Sequence, residues 1–380
     1  MSGPLDGVRL IEVAGLGPGP MAAMMLAGMG AAVVRVDRID PGVPLMPVEP
    51  RYEPTLRGRL RIAVDLKQPE GVEVLLALVA GADGLMEGFR PGVAERLGFG
   101  PDVCLARNPR LVFGRMTGYG QSGPLAGVAG HDINYIAQTG ALHAVGPAEA
   151  PVPPLNLVGD YGGGAMLLAF GMVCALLERE RSGLGQVVDA AMVDGAALLM
   201  TPFYGLVQAG TWSDRRASNL LDGGCPFYGV YATRDGRHMA VGALEAKFFA
   251  DLVARLGLDP TLPSRQHDRA AWPAMREALA SAFLGQDFRT WCEALEGHDC
   301  CVSGVRTIAE AAVTDHARAR RAFETVDGVS APVPAPRFSR SGDGRPRAAT
   351  AAASDTDMVL DRAGYSTERI SRLRKSGVVS

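Results

Sequence analysis

A strand, a tight turn, a helix and a second strand follow one another within the first 37 residues, and this succession restricts the possible folds more than any other feature. Residues 8–13 (VRLIEV) read as a buried strand, 21–29 as a short helix and 32–37 (AVVRVD) as the next strand. Two neighbouring strands joined by a helical crossover run parallel, and a parallel sheet is covered on both faces. The pattern recurs downstream, with a strand at 61–66, a helix from Pro69 to about Ala82, and strands at 84–87 and 111–116. Pro69 suits a first helical turn, and Glu70 is favourable at that end. An apolar helix is expected from near Gly162 to about Arg181, then a strand at 187–190 and a helix through Leu199.

The second half has a different texture. Residues 200–225 lack a clear period and read as a crossing linker. Beyond Pro226, FYGVYAT and HMAVGAL flank Arg234-Asp235-Gly236-Arg237, an Asp-Gly hairpin signal. Helical segments follow at about 245–256, 271–284, 288–296 and 307–322. Residues 330–353, rich in Pro, Ala, Ser and Arg, read as a tether. A last helix at about 367–375 is capped by Ser366 or Thr367 and closed by Gly377. At about 150 residues per domain, two domains suit a chain of 380 residues.

Thirty-eight Lys and Arg against 41 Asp and Glu leave a net charge of −3, which gives no basic field for nucleic acid or anionic lipid. Two uncharged runs invite reading as membrane spans. Residues 13–34 are broken by Pro18, Pro20 and glycines, and 161–177 open on three glycines, so no membrane span is expected. The six cysteines show neither CxxC nor zinc spacing, which fits a reduced, cytoplasmic setting.

GLGPG at 15–19, after a strand and with Asp37 about 20 residues on, imitates a dinucleotide fingerprint. The spacing is GxGxG rather than GxGxxG, and Pro18 and Pro20 each remove an N–H from the loop that would hold the pyrophosphate. A tight strand-to-helix turn is the better reading.

Two motifs carry candidate chemistry. GHDINY at 130–135 presents His131 after a run of small residues. PPLNLVGDYGGG at 153–164 places Asp160 at a strand-to-helix junction, and the glycines at 162–164 would offer free N–H groups to an anionic oxygen. His131 alone also suits a surface or core histidine, and Asp160 alone suits a helix cap. Composition and spacing stop at an α/β enzyme of unspecified chemistry.

These motifs, with AGLGPGPMAAMML, VVRVDR (33–38), VDLKQPEG (64–71), EGFRPGVAERLG (87–98), RMTGYGQSGP, GQVVDAAMVDG (185–195), LDGGCPFY (221–228), VGALEAKF (241–248), APRFSR (335–340) and the GYSTERISRLRKSGV tail, resemble the α-methylacyl-CoA racemases of the family III CoA-transferase superfamily. The resemblance runs in order along nearly the whole chain. It implies an α/β fold with a Rossmann-like large domain, a smaller α+β domain and an interlocked homodimer. The corresponding division is a large CoA-binding domain at 1–199, a linker at 200–225, a small domain at 226–325, a return linker at 326–353, and a segment at 354–380 packing on the large domain.

The resemblance also implies roles. His131 and Asp160 become acid/base residues on opposite faces of the α-carbon, and Glu245 becomes the partner of the histidine, reaching it from the other subunit. Coenzyme A, bound as part of an acyl-CoA substrate, is expected at Arg38, at Val64, Asp65, Leu66 and Lys67, at Gly88, Phe89 and Arg90, at Arg96, and along Gly130, His131, Asp132, Ile133, Asn134 and Tyr135. No metal or redox cofactor is needed. The implied activity is racemisation of 2-methylacyl-CoA thioesters through an enolate. Two alternatives stand beside it: a CoA-transferase with Asp160 as nucleophile, and a non-catalytic acyl-CoA-binding protein. Gly304, where members usually have proline, and Cys225, in place of a small residue, depart from the pattern and bear on loop conformation and substrate fit.

Overall fold

A computed structural model describes residues 3–40, 42, 48–342 and 348–380, so that 343–347 of the expected tether lies outside the described residues. The chain forms two compact units, residues 1–139, 155–200 and 319–380 making the first, and 140–154 with 201–318 the second.

The first unit is built on six parallel strands, β1 (Arg9–Val13), β2 (Ala32–Asp37), β3 (Arg59–Ala63), β4 (Gly84–Glu87), β5 (Val112–Thr117) and β6 (Val187–Ala191), in the order β3-β2-β1-β4-β5-β6. Successive side chains alternate between faces. Ile11, Leu85 and Phe113 join one core with the helix Pro69–Val79, whereas Leu10, Met86 and Val112 join the other with the helices Pro18–Gly28 and Met166–Ser182. The first core is completed from the C-terminus. Helices Thr356–Arg362 and Thr367–Lys375 contribute Leu360, Ile370 and Leu373, and Val379 forms an antiparallel bridge to Val64.

The ends of these strands carry charge. Glu12 accepts hydrogen bonds from Arg35 and from Arg59 Nε at 2.9 Å, and Asp37 accepts from Arg35 at 2.9 Å and Arg61 at 2.8 Å. Asp355 then accepts from the Arg61 backbone N–H at 3.0 Å. Across β4 and β5, Arg115 bridges Glu87 at 2.9 Å and Glu95 at 2.7 Å. Burial disfavours the charged form of Arg59 and lowers its pKa against the pull of Glu12, whereas at Arg35 Glu12 and Asp37 outweigh burial.

The structure differs from the sequence reading in several places. The first helix starts at Pro18 rather than Met21, because a first turn tolerates residues without an N–H. Residues 201–208, without clear period, are a helix, and residues 323–326 and 329–332 pair as an antiparallel hairpin at the start of the expected tether. The helix expected at 307–322 is two, Ile308–Ala311 and Asp315–Ala319, because Thr307 accepts from the Glu310 N–H and Thr314 from the Ala317 N–H, each opening its own turn. The helix expected near Gly162 begins earlier. A π-helical stretch, Leu157–Ala165, runs directly into Met166–Ser182. The resulting 26 residues are long and apolar enough to cross a membrane, and 44% of their most apolar window is buried in the protein.

The second unit has an antiparallel sheet, β7 (Tyr228–Ala232), β8 (His238–Gly242) and β9 (Val302–Gly304), packed on helices Ala246–Arg255, Trp272–Leu284 and Phe288–Leu295 around Phe227, Phe249 and Phe283. Gly304 donates its N–H to Glu296 at 2.8 Å, and a Cβ there would lie 2.6 Å from the Phe288 ring, so proline would lose the bond and collide. Cys225 is buried, and burial pushes its thiol up to about 11.

Arg59→Ala leaves Glu12 with one buried cation instead of two. It should cost about 3–5 kcal/mol, the usual effect of removing one member of a buried charge cluster. Urea-induced unfolding measures this, and a loss below about 1 kcal/mol would contradict an energetic role for the pair.

Candidate active site

In a sheet of this order, the loops leaving the central strands diverge at the point where the order reverses, between β1 and β4, and the crevice so formed lies beyond the carboxyl ends of the strands. A cavity of about 580 Å³ occupies this position. The turn after β1 supplies Gly15 and Leu16, the turn after β4 supplies Gly88, Phe89 and Arg90, and the loop after β5 leads to Gly130, His131 and Tyr135. Glu87 fixes the second of these turns by accepting the Phe89 N–H at 2.6 Å.

His131 is exposed and precedes the helix Asp132–Ala137, where its backbone N–H donates to Asn134 Oδ1 at 3.0 Å. Tyr135 turns inward beneath it. Its ring meets Tyr119 edge to face at 4.9 Å, its hydroxyl donates to the Gly130 carbonyl, and burial pushes the phenol up to about 12.

Asp160 lies inside the π-helical stretch, not at a strand-to-helix junction, since residues 151–156 form no strand. Wide helical turns of this kind are frequent at functional sites. Asn156 Nδ2 donates to Asp160 Oδ2 at 3.1 Å, and the Asp160 backbone N–H donates to Asp132 Oδ2 at 2.7 Å. The carboxyl faces the turn after β1. A Cβ on Gly17 would sit 3.1 Å from Asp160 Oδ2, and Gly17 has a φ of +66° that other residues resist. Partial burial raises the pKa of Asp160 and the charge of Asp132 adds to this, against the Asn156 hydrogen bond and the His131 imidazole. Of these contributors Asn156, Gly17 and the side chain of Asp132 were not singled out as catalytic in the sequence. An Asn four residues before Asp160 was the signal available for the first.

The glycines 162–164 do not cradle an anion. Gly163 and Gly164 are buried against the helix Met192–Leu199, and a Cβ on Gly163 would lie 2.6 Å from the Ala196 nitrogen. They permit close helix packing, and they lie inside the π-helical stretch rather than at its start, where N–H groups would be free.

A second cavity, about 610 Å³, shares Val13 and Phe89 with the first and gathers Arg38, Val64, Asp65, Leu66 and Lys67. Most of the residues expected to hold CoA therefore line one of two adjoining cavities. Arg96 and Ile133 are exposed and line neither, and Asp132 is turned away from the cavities onto the backbone of Asp160. Glu245 belongs to the second unit, exposed at the start of the helix Ala246–Arg255.

Comparison with known proteins follows the same lines. A family model described as CoA-transferase family III matches residues 5–354. An alpha-methylacyl-CoA racemase of Mus musculus is 43% identical over 385 residues and one of Homo sapiens 39% over 388, each alignment covering 99% of this chain and 97% of the relative. A CAIB/BAIF family protein from Brucella suis has a similar fold, with a TM-score of 0.78 over 96% of this chain and 100% of that one, at 22% identity. A family match over most of the chain, relatives alike along nearly its whole length and a shared architecture lead to one conclusion: the chain belongs to CoA-transferase family III.

Proposed function

We propose that the chain is an α-methylacyl-CoA racemase, inverting the α-carbon of 2-methylacyl-CoA thioesters by two-base proton transfer. The observation that carries this reading is that His131, which lines the first cavity, acts electrostatically on a half-buried Asp160 of raised pKa, whose carboxyl faces the β1 turn that lines the same cavity through Gly15, Leu16 and Pro18. The α-proton of a thioester is far less acidic than either side chain. Its removal needs an aligned base, exclusion of water and stabilisation of the enolate oxygen. In one direction neutral His131 takes the proton and protonated Asp160 returns one to the opposite face. In the other, Asp160 is the base and imidazolium His131 the acid. Free Asp titrates near 3.9, so the first direction requires an environment that raises its pKa, as burial does here.

Arg38 and Lys67 bring cationic groups to the second cavity, suited to CoA phosphates, and the first cavity then receives the thioester end. We further propose a cytoplasmic homodimer with a large CoA-binding domain and a small domain, in which Glu245 of one subunit partners His131 of the other and favours its imidazolium. The helix Met166–Ser182 supports an association surface, because Met166, Phe170, Val173 and Leu177 repeat at helical spacing on its exposed side.

In D₂O a single enantiomer of a 2-methylacyl-CoA should racemise and gain one α-deuterium without an acyl acceptor, followed by chiral chromatography and mass spectrometry. His131→Ala and Asp160→Asn should each lower racemisation by roughly 10²–10⁴-fold. Trapping of an acyl-Asp160 adduct by hydroxylamine would instead identify a CoA-transferase.

Sedimentation should give a dimer that dilution does not convert into folded monomer, since interlocked chains must unfold to part. Phe170→Asp should reduce the yield of that dimer. A stable, folded monomer of the unmodified chain would exclude the interlocked assembly.

A further inference from the structure

Asp132 is the buried acidic member of GHDINY, at 6% exposure. Its carboxylate is closely engaged with the stretch that carries Asp160. Oδ2 accepts the Asp160 N–H at 2.7 Å, and it stands where a Cβ on Gly159 would approach to 2.6 Å, so only glycine leaves room for it. The other oxygen, Oδ1, is buried and has no hydrogen-bond partner among the described residues. A carboxylate with one idle buried oxygen is costly and is rarely kept for packing alone.

We propose that Asp132 is a positioning residue, clamping the backbone of Asp160 through one oxygen while its uncompensated charge favours a proton on the Asp160 carboxyl. The physical basis is that two neighbouring carboxyls resist ionising together, so a charge fixed on one keeps the proton on the other. The surroundings contain little to cancel the effect. His131 opposes it, and the Asn156 amide donates to Asp160 Oδ2. The helix Pro18–Gly28 brings no charged side chain, and Met192–Leu199 brings only the exposed Asp194. Asp189 on β6 is engaged by the Gln121 N–H, and the charged residues of Met166–Ser182 lie in its last two turns, at 178–181. Tyr135, close to both Asp160 and Arg90, carries no charge below its raised pKa.

The inference rests on the racemase reading and explains how that reaction obtains a protonated Asp160 near neutral pH. Asp132→Asn retains the shape and an acceptor for the Asp160 N–H but removes the charge. The Asp160 carboxyl, followed by ¹³C NMR and assigned with Asp160→Asn, should then titrate about one pH unit lower, a tenfold loss of proton affinity. The limb of the kcat/KM profile for racemisation that Asp160 sets should move down with it. Both directions should slow equally, because the equilibrium between enantiomers is fixed by the substrate. Asn156→Ala, which removes a donor to the carboxylate, should move the same titration upward.

A slower Asp132→Asn enzyme with an unmoved Asp160 titration would reduce Asp132 to a structural clamp and overturn the proposal. Should Asp132→Asn not fold, Asp132→Ser keeps an acceptor without the charge and is read identically. Failure of the wild-type chain to exchange α-protons would sink the racemase reading, while the NMR titration, which needs no activity, still decides whether Asp132 controls the Asp160 proton.

Discussion

Buried charge pairing across β1, β2 and β3 is the constraint on which the rest of the structure depends. Strands of a covered parallel sheet are normally continuous runs of apolar residues, yet these three carry buried Glu12, Arg35, Asp37, Arg59 and Arg61. Isolated, any of these charges would be excluded from such a site. Paired with one another, they tie neighbouring strands together. Arg59 also donates to the Arg57 carbonyl at 2.8 Å and to the Pro20 carbonyl, so the same cation steadies the helix that opens after the β1 turn. Glu87 serves the turn after β4 in the same way, holding Arg115 on one side and the Phe89 N–H on the other.

Electrostatics at the proposed acid/base pair follow a related principle with the opposite sign. The charges on the strands are paired with opposite charges, so they hold geometry. Asp160 is only half compensated, because burial and Asp132 resist its charge while Asn156 and His131 favour it. A carboxyl near balance can give up or accept a proton, whereas Asp37, bound by two arginines, serves to hold strands together.

Much of this was legible in the sequence because period and punctuation are local. Strands β2 and β4 have the boundaries that hydrophobic runs and flanking turns set, and the last helix keeps its Ser366 cap. The motifs GHDINY and GDYGGG led to His131 and Asp160. What local reading missed depends on partners distant in sequence. The glycine triplet looked like a ligand cradle because nothing nearby reveals that the helix 192–199 packs against it. Asp132 was grouped with the CoA contacts through the resemblance of the whole GHDINY motif, although its own side chain turns to the backbone of Asp160. The charged strand ends were visible as letters, but their pairing requires the strand order, which no single segment encodes.

The antiparallel bridge between Val64 and Val379, with the Asp65 N–H donating to the Val378 carbonyl at 2.9 Å, bears on the order in which the molecule can be made. The wall of the second cavity at 64–67 is finished by residues near the other end of the chain, and the first unit is assembled from three separated stretches. Synthesis from the N-terminus therefore cannot close that unit as it emerges. The second unit, made largely from one stretch, can mature on the ribosome while the open edge of the first core waits for its last helix. During that interval β3 lacks the helix Thr356–Arg362 that packs on it, so apolar surface of the first core stays open until residues 356–379 have been made.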